Sequence, residues 1–287
     1  MSSVEEIVRQ VEKLPTINTV AFQVVQMCSD LEIPIPRLIK VISGDQSLTA
    51  QILKIANSSY FNFPRTIYSL DRAIVILGFN LLKDIAVSIA IYSLYKGFNS
   101  NKYFDIKSLW KHSIYTGFAL KTLAEEYDPE HKDILYIGGL LHDIGKLAFI
   151  KVLNEEYYLI YEKSKQEDVP LFEVEQTFLG YDHATLGARL LDEWHLPEPV
   201  VDMVRFHHHP QEFQGEPTVA PWVRLVYLGN LLVHLLDTQE ATVRDVVAMD
   251  SHFENYFSFS DSDIQHLLNK VRKDLDEQQD YLKLFNL

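Results

Sequence analysis

Apolar residues return every three to four positions along most of the chain, and that spacing predicts one helix after another. Val4, Ile7, Val8, Val11 and Leu14 share a helical face before Pro15. Val20, Val24, Met27 and Leu31 line a second helix, Thr19 to Leu31, broken by Pro34 and Pro36. Pro36 suits the first turn of a third, Arg37 to Ile42, ended by Gly44. Asp45 is placed to cap a fourth, which carries Leu48, Ile52, Leu53 and Ile55 and is closed by Asn57-Ser58. Leu70 to Leu77 reads as a fifth, with Gly78 just past its end, where a left-handed conformation is common. Leu81 to Tyr95 is nearly all apolar and is expected at the centre of the fold.

A polar stretch, Gly97 to Asp105, separates these helices from the rest. The same spacing then predicts helices over Leu109 to Tyr127, Asp133 to His142-Asp143, Asn154 to Gln166, Leu171 to Phe178, and His183 to Trp194. Others follow over Pro199 to His208, Trp222 to Leu236, Thr242 to Met249, and the charged Asp261 to Leu284. No segment alternates convincingly with period two, so the expected fold class is all-α, a multi-helix bundle. Its parts are an N-terminal helical half at 1–97, a second helical bundle at 98–240, and a C-terminal helical extension at 241–287.

Composition narrows the partners. The chain has 287 residues, 47% hydrophobic and 23% charged, enough to bury a sizeable core. Its net charge of -14 repels a duplex or an anionic bilayer at long range, so neither nucleic acid nor membrane is expected as a partner. Cys28 is the single cysteine, which excludes an intrachain disulfide and suits a reducing compartment. The first residues carry Glu5 and Glu6 and lack the apolar core of a signal peptide. No apolar run nears the ~20 residues of a membrane-spanning helix, and the expected location is cytoplasmic.

The stretch that carries chemistry is Gly138 to Lys146, G-G-L-L-H-D-I-G-K. His142 offers a neutral imidazole nitrogen and Asp143 a carboxylate oxygen, together half of a metal site. Lys146, three residues on, shares their face of a helix and is placed to meet an anion. His112 lies in W-K-H-S, His183 follows the expected cap Asp182, and His207, His208 and His209 precede Pro210. Each has an ordinary explanation alone: a packed histidine, a cap neighbour, or cations at a helix C-terminus. Together they place histidines at four helical sites in the second half of the chain. All-α bundles build metal sites from inward-facing side chains on several helices. His131, His195, His234, His252 and His266 read as surface or tail residues.

The order His112, His142-Asp143, Lys146, His183, His207-His208 resembles the HD superfamily of metal-dependent phosphohydrolases. L-L-H-D-I-G-K, with W-K-H-S upstream and H-H-H-P downstream, is most similar to the HDOD family, the HD-related output domain of bacterial signalling. The N-terminal half carries matching phrases: L-P-T-I-N-T-V at Leu14 to Val20, D-Q-S-L-T-A-Q-I-L-K-I-A-N-S-S-Y-F at Asp45 to Phe61, and S-L-D-R-A-I-V-I-L-G at Ser69 to Gly78. The resemblance covers about Leu14 to Leu236. It implies a metal-ligand set of His112, His142, Asp143, His183, His207 and His208. That set would hold one or two divalent ions of the iron, manganese, zinc or magnesium class. In an enzyme, Asp143 and Lys146 would be the catalytic groups.

Two departures qualify it. The cyclic-di-GMP phosphodiesterase branch has Gly-Tyr-Pro after the paired histidines, whereas this chain reads H-P-Q-E-F-Q-G-E-P-T, which does not support that substrate. HD enzymes end their site with an Asp on a later helix, and the matching place here, in L-G-N-L-L, is Asn230. A neutral amide opposes a divalent ion less than a carboxylate does. These departures favour an output module that works through contacts with signalling proteins and keeps a metal site. The histidine set supports the alternative, a metal-dependent phosphohydrolase taking a nucleotide or other phosphorylated small molecule.

Overall fold

The computed structural model describes residues 3–12, 19–28, 34–58, 66–96, 103–236, 241–249, 253–283 and 285. Among them every regular element is helical and none is a strand. The N-terminal half holds α1 (Val4–Glu12), α2 (Thr19–Cys28), α3 (Ile35–Ser43), α4 (Gln46–Ala56), α5 (Leu70–Leu77) and α6 (Phe79–Lys96). The expected signature at Leu14 to Asn18, the loop from Gly97 to Lys102 and His252 lie outside the described residues.

Local chemistry sets these boundaries. Asp45 caps α4, its carboxylate accepting from the Leu48 N–H at 2.9 Å. Asn57 closes that helix and clamps the next segment, accepting from the Ile67 N–H at 2.7 Å and donating to the Ile67 carbonyl at 2.8 Å. Ser69 caps α5, and Gly78 ends it at φ 80°, ψ 161°. That is a positive-φ extended conformation rather than the left-handed helical one, and glycine alone adopts it without strain. α6 is buried along most of its length, as its apolar run predicts, and packs on α2 and α4.

The second half is built on α7 (Ile106–Tyr127), whose residues are buried on several sides, with α8 (Lys132–Leu141) beside it. The two run antiparallel, since the contact steps back along α7 from Gly117 to His112 as it steps forward from Gly139 in α8 to His142. A Cβ on Gly139 would lie 2.7 Å from the Gly117 Cα, so the backbones pack in direct contact. Then follow α9 (Ile144–Val152), α10 (Glu155–Glu167), α11 (Leu171–Leu179), α12 (His183–Glu193), α13 (Glu198–Arg205) and α14 (Ala220–His234). α14 covers α7, and α12 packs on α9 and α13.

The last elements are α15 (Val243–Met249), α16 (Asp261–Glu277) and α17 (Gln279–Lys283). The single helix expected over Asp261 to Leu284 is interrupted at Gln278. Ser260 and Asp263 form a reciprocal capping box at the start of α16. α16 lies on α7, and Tyr281 and Phe285 are buried, Phe285 edge-on to Trp110. No helix among the described residues is long and apolar enough to cross a membrane.

Candidate metal centre

The pair His142-Asp143 stands at the junction of two helices rather than at the end of one. α8 stops at Leu141, His142 is its C-cap, and Asp143 is the residue before α9. The turn buries both side chains completely. Lys146, in the first turn of α9, donates to Asp143 Oδ2 at 2.7 Å.

His112 comes in from α7. Its Nε2 lies 3.2 Å from His142 Nε2, 2.9 Å from Asn230 Oδ1 on α14, and 3.8 Å from Asp143 Oδ2. On the other side of the carboxylate stand His183, His207 and His208. His183 begins α12 just after its cap Asp182, whose side chain accepts from the Thr185 N–H at 2.8 Å. Its Nε2 is 3.2 Å from Asp143 Oδ1 and 2.9 Å from His208 Nε2. His207 Nε2 is 3.8 Å from the same Oδ1. The six residues expected to converge do so, as two adjacent triads: His112, His142 and Asp143, and His183, His207 and His208.

The paired histidines do not end a helix. α13 stops at Arg205, and Phe206 is its C-cap. His207 and His208 follow in the turn beyond. Burial holds both well below the ordinary imidazole range, so neither is the cation that would stabilise a helix C-terminus. His209 points elsewhere and lines a separate cavity of about 590 Å³ with Phe172, Arg205 and Glu212.

Outer hydrogen bonds set the tautomers. His142 Nδ1 donates to the Gly139 carbonyl at 2.7 Å, His207 Nδ1 to the Val204 carbonyl at 2.7 Å, and His183 Nδ1 to Glu175 Oε2 at 2.6 Å. With its proton on Nδ1, each ring turns the Nε2 lone pair inward. Glu175 also accepts from the His183 N–H at 2.8 Å and from the Tyr157 hydroxyl at 2.6 Å, and it is fully buried. Sequence reasoning passed over it. Its signal was Leu171, Phe172, Phe178 and Leu179, three and four residues away on either side, which place this Glu inside an apolar helical stripe.

His234 was also passed over as a surface residue. It is exposed, yet its ring stacks on His112 with centroids 4.6 Å apart. Surrounding protein, then the Lys146 charge, pushes it down to about 4. It stands four residues after Asn230, on the same side of α14. Of the other expected surface histidines, His195 and His266 are exposed, while His131 contacts Asp128 and the Trp222 ring.

Electrostatically the cluster calls for a cation. Burial alone would raise Asp143, but Lys146, His142 and His183 outweigh it and hold the carboxyl well below its usual range. His112 and His142 are lowered by burial and are neutral near pH 7. Burial disfavours a charge on His183 too, but Glu175 overrides it and lifts the group to about 9, so this ring attracts a positive charge, which an ion at its Nε2 would supply in place of a proton. Two buried atoms, Asp143 Oδ1 and His207 Nε2, have no hydrogen-bond partner. Inward lone pairs, a shared carboxylate and unpaired buried acceptors suit a divalent metal ion.

A family model for the HDOD domain matches residues 14–210. The chain belongs to the HDOD domain family. Three solved structures share this HDOD fold. A candidate phosphohydrolase from Shewanella amazonensis SB2B is 18% identical, with a TM-score of 0.71 and 97% of each chain covered. An HDOD domain protein of unknown function from Geobacter sulfurreducens is 21% identical, with a TM-score of 0.67, covering 98% of this chain and 95% of its own. A candidate signal transduction protein from Marinobacter aquaeolei VT8 is 20% identical, with a TM-score of 0.74, covering 97% of this chain and 61% of its own. At these identities the likeness concerns the fold. An uncharacterised protein of Treponema pallidum (strain Nichols) is 24% identical over 233 residues, 79% of this chain. The chain spans 44% of that relative's length.

Proposed function

We propose that this HDOD protein is a bacterial signal-transduction module, acting through protein contacts, built around a retained centre for two divalent ions. One ion would be held by His183, His207, His208 and Asp143 Oδ1, the other by His112, His142 and Asp143 Oδ2. The observation that carries this reading is Asp143 itself, buried between the His112–His142 pair and the triad of His183, His207 and His208, with Oδ1 unpaired. A bound divalent ion supplies Lewis acidity toward a phosphate oxygen. The chain's own residues supply the rest: Glu175 fixes the His183 ring, Asp143 links the triads, and Lys146 places a positive charge beside the carboxylate.

Asn230 supports signalling over hydrolysis. Its amide oxygen is spent on His112 at 2.9 Å and brings no negative charge. The second reading, hydrolysis of a nucleotide or other phosphoester with Asp143 and Lys146 as catalytic groups, is favoured by the convergence of the complete histidine set. Elemental analysis of untagged protein purified without added metal, followed by a phosphoester screen, separates the two. Metal without turnover is expected. Turnover would establish the enzyme, and metal-free protein that takes up none on titration would end both readings. Asn230→Asp should raise affinity for the ion held by His112 and His142, because a carboxylate opposes its charge directly. No turnover should appear with it. Unchanged affinity would show that position 230 does not reach the ion.

A further inference from the structure

The hydrogen-bond chain behind His183 does not end at Glu175. That carboxylate is 0% exposed and receives three donors. The His183 backbone N–H and Nδ1–H reach Oε2 at 2.8 and 2.6 Å, and the Tyr157 hydroxyl reaches Oε1 at 2.6 Å. The two oxygens therefore have separate tasks. Oε2 serves the His183 ring, and Oε1 is held from α10. Tyr157 is itself 1% exposed, and its ring is packed in place. It stacks on Phe149 of α9 with centroids 5.0 Å apart, and on Phe104, just before α7, with centroids 5.5 Å apart. The hydroxyl is thus presented to Glu175 from a fixed position.

A buried carboxylate needs donors on both oxygens, and a buried tyrosine hydroxyl needs a partner. Here each meets the other's need. Without the hydroxyl, Oε1 would sit buried with no donor, at a large desolvation penalty. The carboxylate would then gain by turning toward another donor or toward water. That turn carries Oε2 off the His183 Nδ1–H, the contact that fixes the ring's tautomer and angle. His183 Nε2 would lose its aim at Asp143 Oδ1, now 3.2 Å away.

We propose that Tyr157 is a positioning residue of the metal centre: its hydroxyl holds Glu175 in the orientation that aims His183 Nε2 into the triad of His183, His207 and His208. The inference rests on the metal-centre reading above. It extends that reading outward to α10, a helix that carries none of the candidate ligands.

Tyr157→Phe keeps the ring and removes only the hydroxyl. Zinc is the probe, bound to the full chain and withdrawn by a competing chelator. Its affinity should fall about 3–5-fold, less than the ~10-fold loss of an outer-shell partner in direct contact with a ligand. Tyr281→Phe is the control. Its hydroxyl is equally buried and donates to Ser88 Oγ at 3.0 Å, away from the centre. It should lower the unfolding midpoint as Tyr157→Phe does and leave zinc affinity unchanged. In a Glu175→Gln background, Tyr157→Phe should shift zinc affinity less than about 2-fold, because the carboxylate it positions is gone. The metal-free chain supplies a second readout. The His183 Nδ1 proton, in its 2.6 Å bond to a carboxylate, resonates far downfield. That resonance should move in Tyr157→Phe and stay in Tyr281→Phe. Unchanged zinc affinity in Tyr157→Phe would overturn the proposal. So would an equal loss in Tyr281→Phe, or a full loss in the Glu175→Gln background, since either makes the hydroxyl a matter of general stability. If the unaltered chain takes up no zinc, the metal-centre reading has failed, and an unmoved His183 proton would then overturn this one separately. If it takes up zinc and Tyr157→Phe changes nothing, that reading stands and this one alone falls.

Discussion

Gly145→Ala is the sharpest test of how the fold builds the centre. Gly145 lies two residues after Asp143, where α9 crosses the start of α12. A Cβ there would sit 2.0 Å from the His183 carbonyl oxygen, 2.8 Å from the Gly187 nitrogen and 2.9 Å from the His183 carbonyl carbon. All three are backbone atoms, so no side chain can swing aside. Real Cβ atoms stay beyond 3.0 Å, and the two helices would have to part by about 1 Å. Overpacking of this kind costs about 1–3 kcal/mol, and a backbone clash belongs at the upper end. Ala's better helix propensity returns less than about 1 kcal/mol. A net loss near 2 kcal/mol is expected.

The same displacement moves Asp143 away from His183, now 3.2 Å from its Oδ1. Metal ligands tolerate distance errors of only about 0.2 Å, so the ion held by His183, His207 and His208 should bind at least ~10-fold more weakly, by analogy with disrupted outer-shell contacts. Denaturant unfolding of the metal-free chain gives the first quantity, and titration against a competing chelator the second. Gly187→Ala is the control. Its added Cβ meets Gly145 N at 3.1 Å and the Ile144 and Val204 side chains at 3.2 Å, and its mid-helix position gains from Ala, so its stability should change by about 1 kcal/mol or less. A Gly145→Ala protein as stable as the unaltered one, with full metal affinity, would refute the idea that this crossing sets the spacing between Asp143 and His183.

Glu175→Gln should weaken metal retention about 10-fold without unfolding the chain, because an amide holds the His183 ring less firmly than the buried carboxylate; chelator competition measures it, and an unchanged affinity would show that His183 needs no such support. Cys28 is buried in α2, and burial pushes its thiol up to about 12, so at pH 8 the nucleophilic thiolate is almost absent. An aromatic disulfide reagent should label the native chain slowly at that pH and at once in denaturant, whereas fast native labelling would place Cys28 at the surface. We propose that 1–97 and 98–240 form one HDOD module with 241–287 packed on it as an integral extension. Removing 241–287 strips Tyr281, Leu282 and Phe285 from the core, at roughly 1.5–3 kcal/mol for each large side chain. Truncation after 240 should therefore lower the unfolding midpoint sharply, and an unchanged midpoint would make the extension an appendage.

Helical periodicity made the architecture legible because nearly every helix has an apolar face and a chemical stop: Asp45, Ser69 and Asp182 as caps, and Gly78 at the end of α5. Periodicity failed where a backbone turn mattered more than a face. It ran α8 through His142-Asp143 and α13 through His208, although His142-Asp143 and His207-His208 both stand just past a helix end, in turns that swing them inward. The site was legible through its histidines, since four separate helical positions are a demanding coincidence. Glu175 and His234 escaped because each has an ordinary reading: an acid on a mixed helix, and a polar residue near a helix end. Placing each on its helical face would have exposed the anomaly. Glu175 lies within an apolar stripe, and His234 lies one turn past Asn230.

Charge balance ties these residues to one another. Two divalent ions would bring four positive charges, while the side chains of the two triads offer one negative charge, on Asp143, and Lys146 already spends part of it. Glu175 adds a second negative charge, but behind His183, where it favours the triad of His183, His207 and His208. The triad of His112, His142 and Asp143 has neutral Asn230 where a carboxylate would balance an ion. Asn230 thus leaves that half short of negative charge, which argues against a self-sufficient hydrolytic centre.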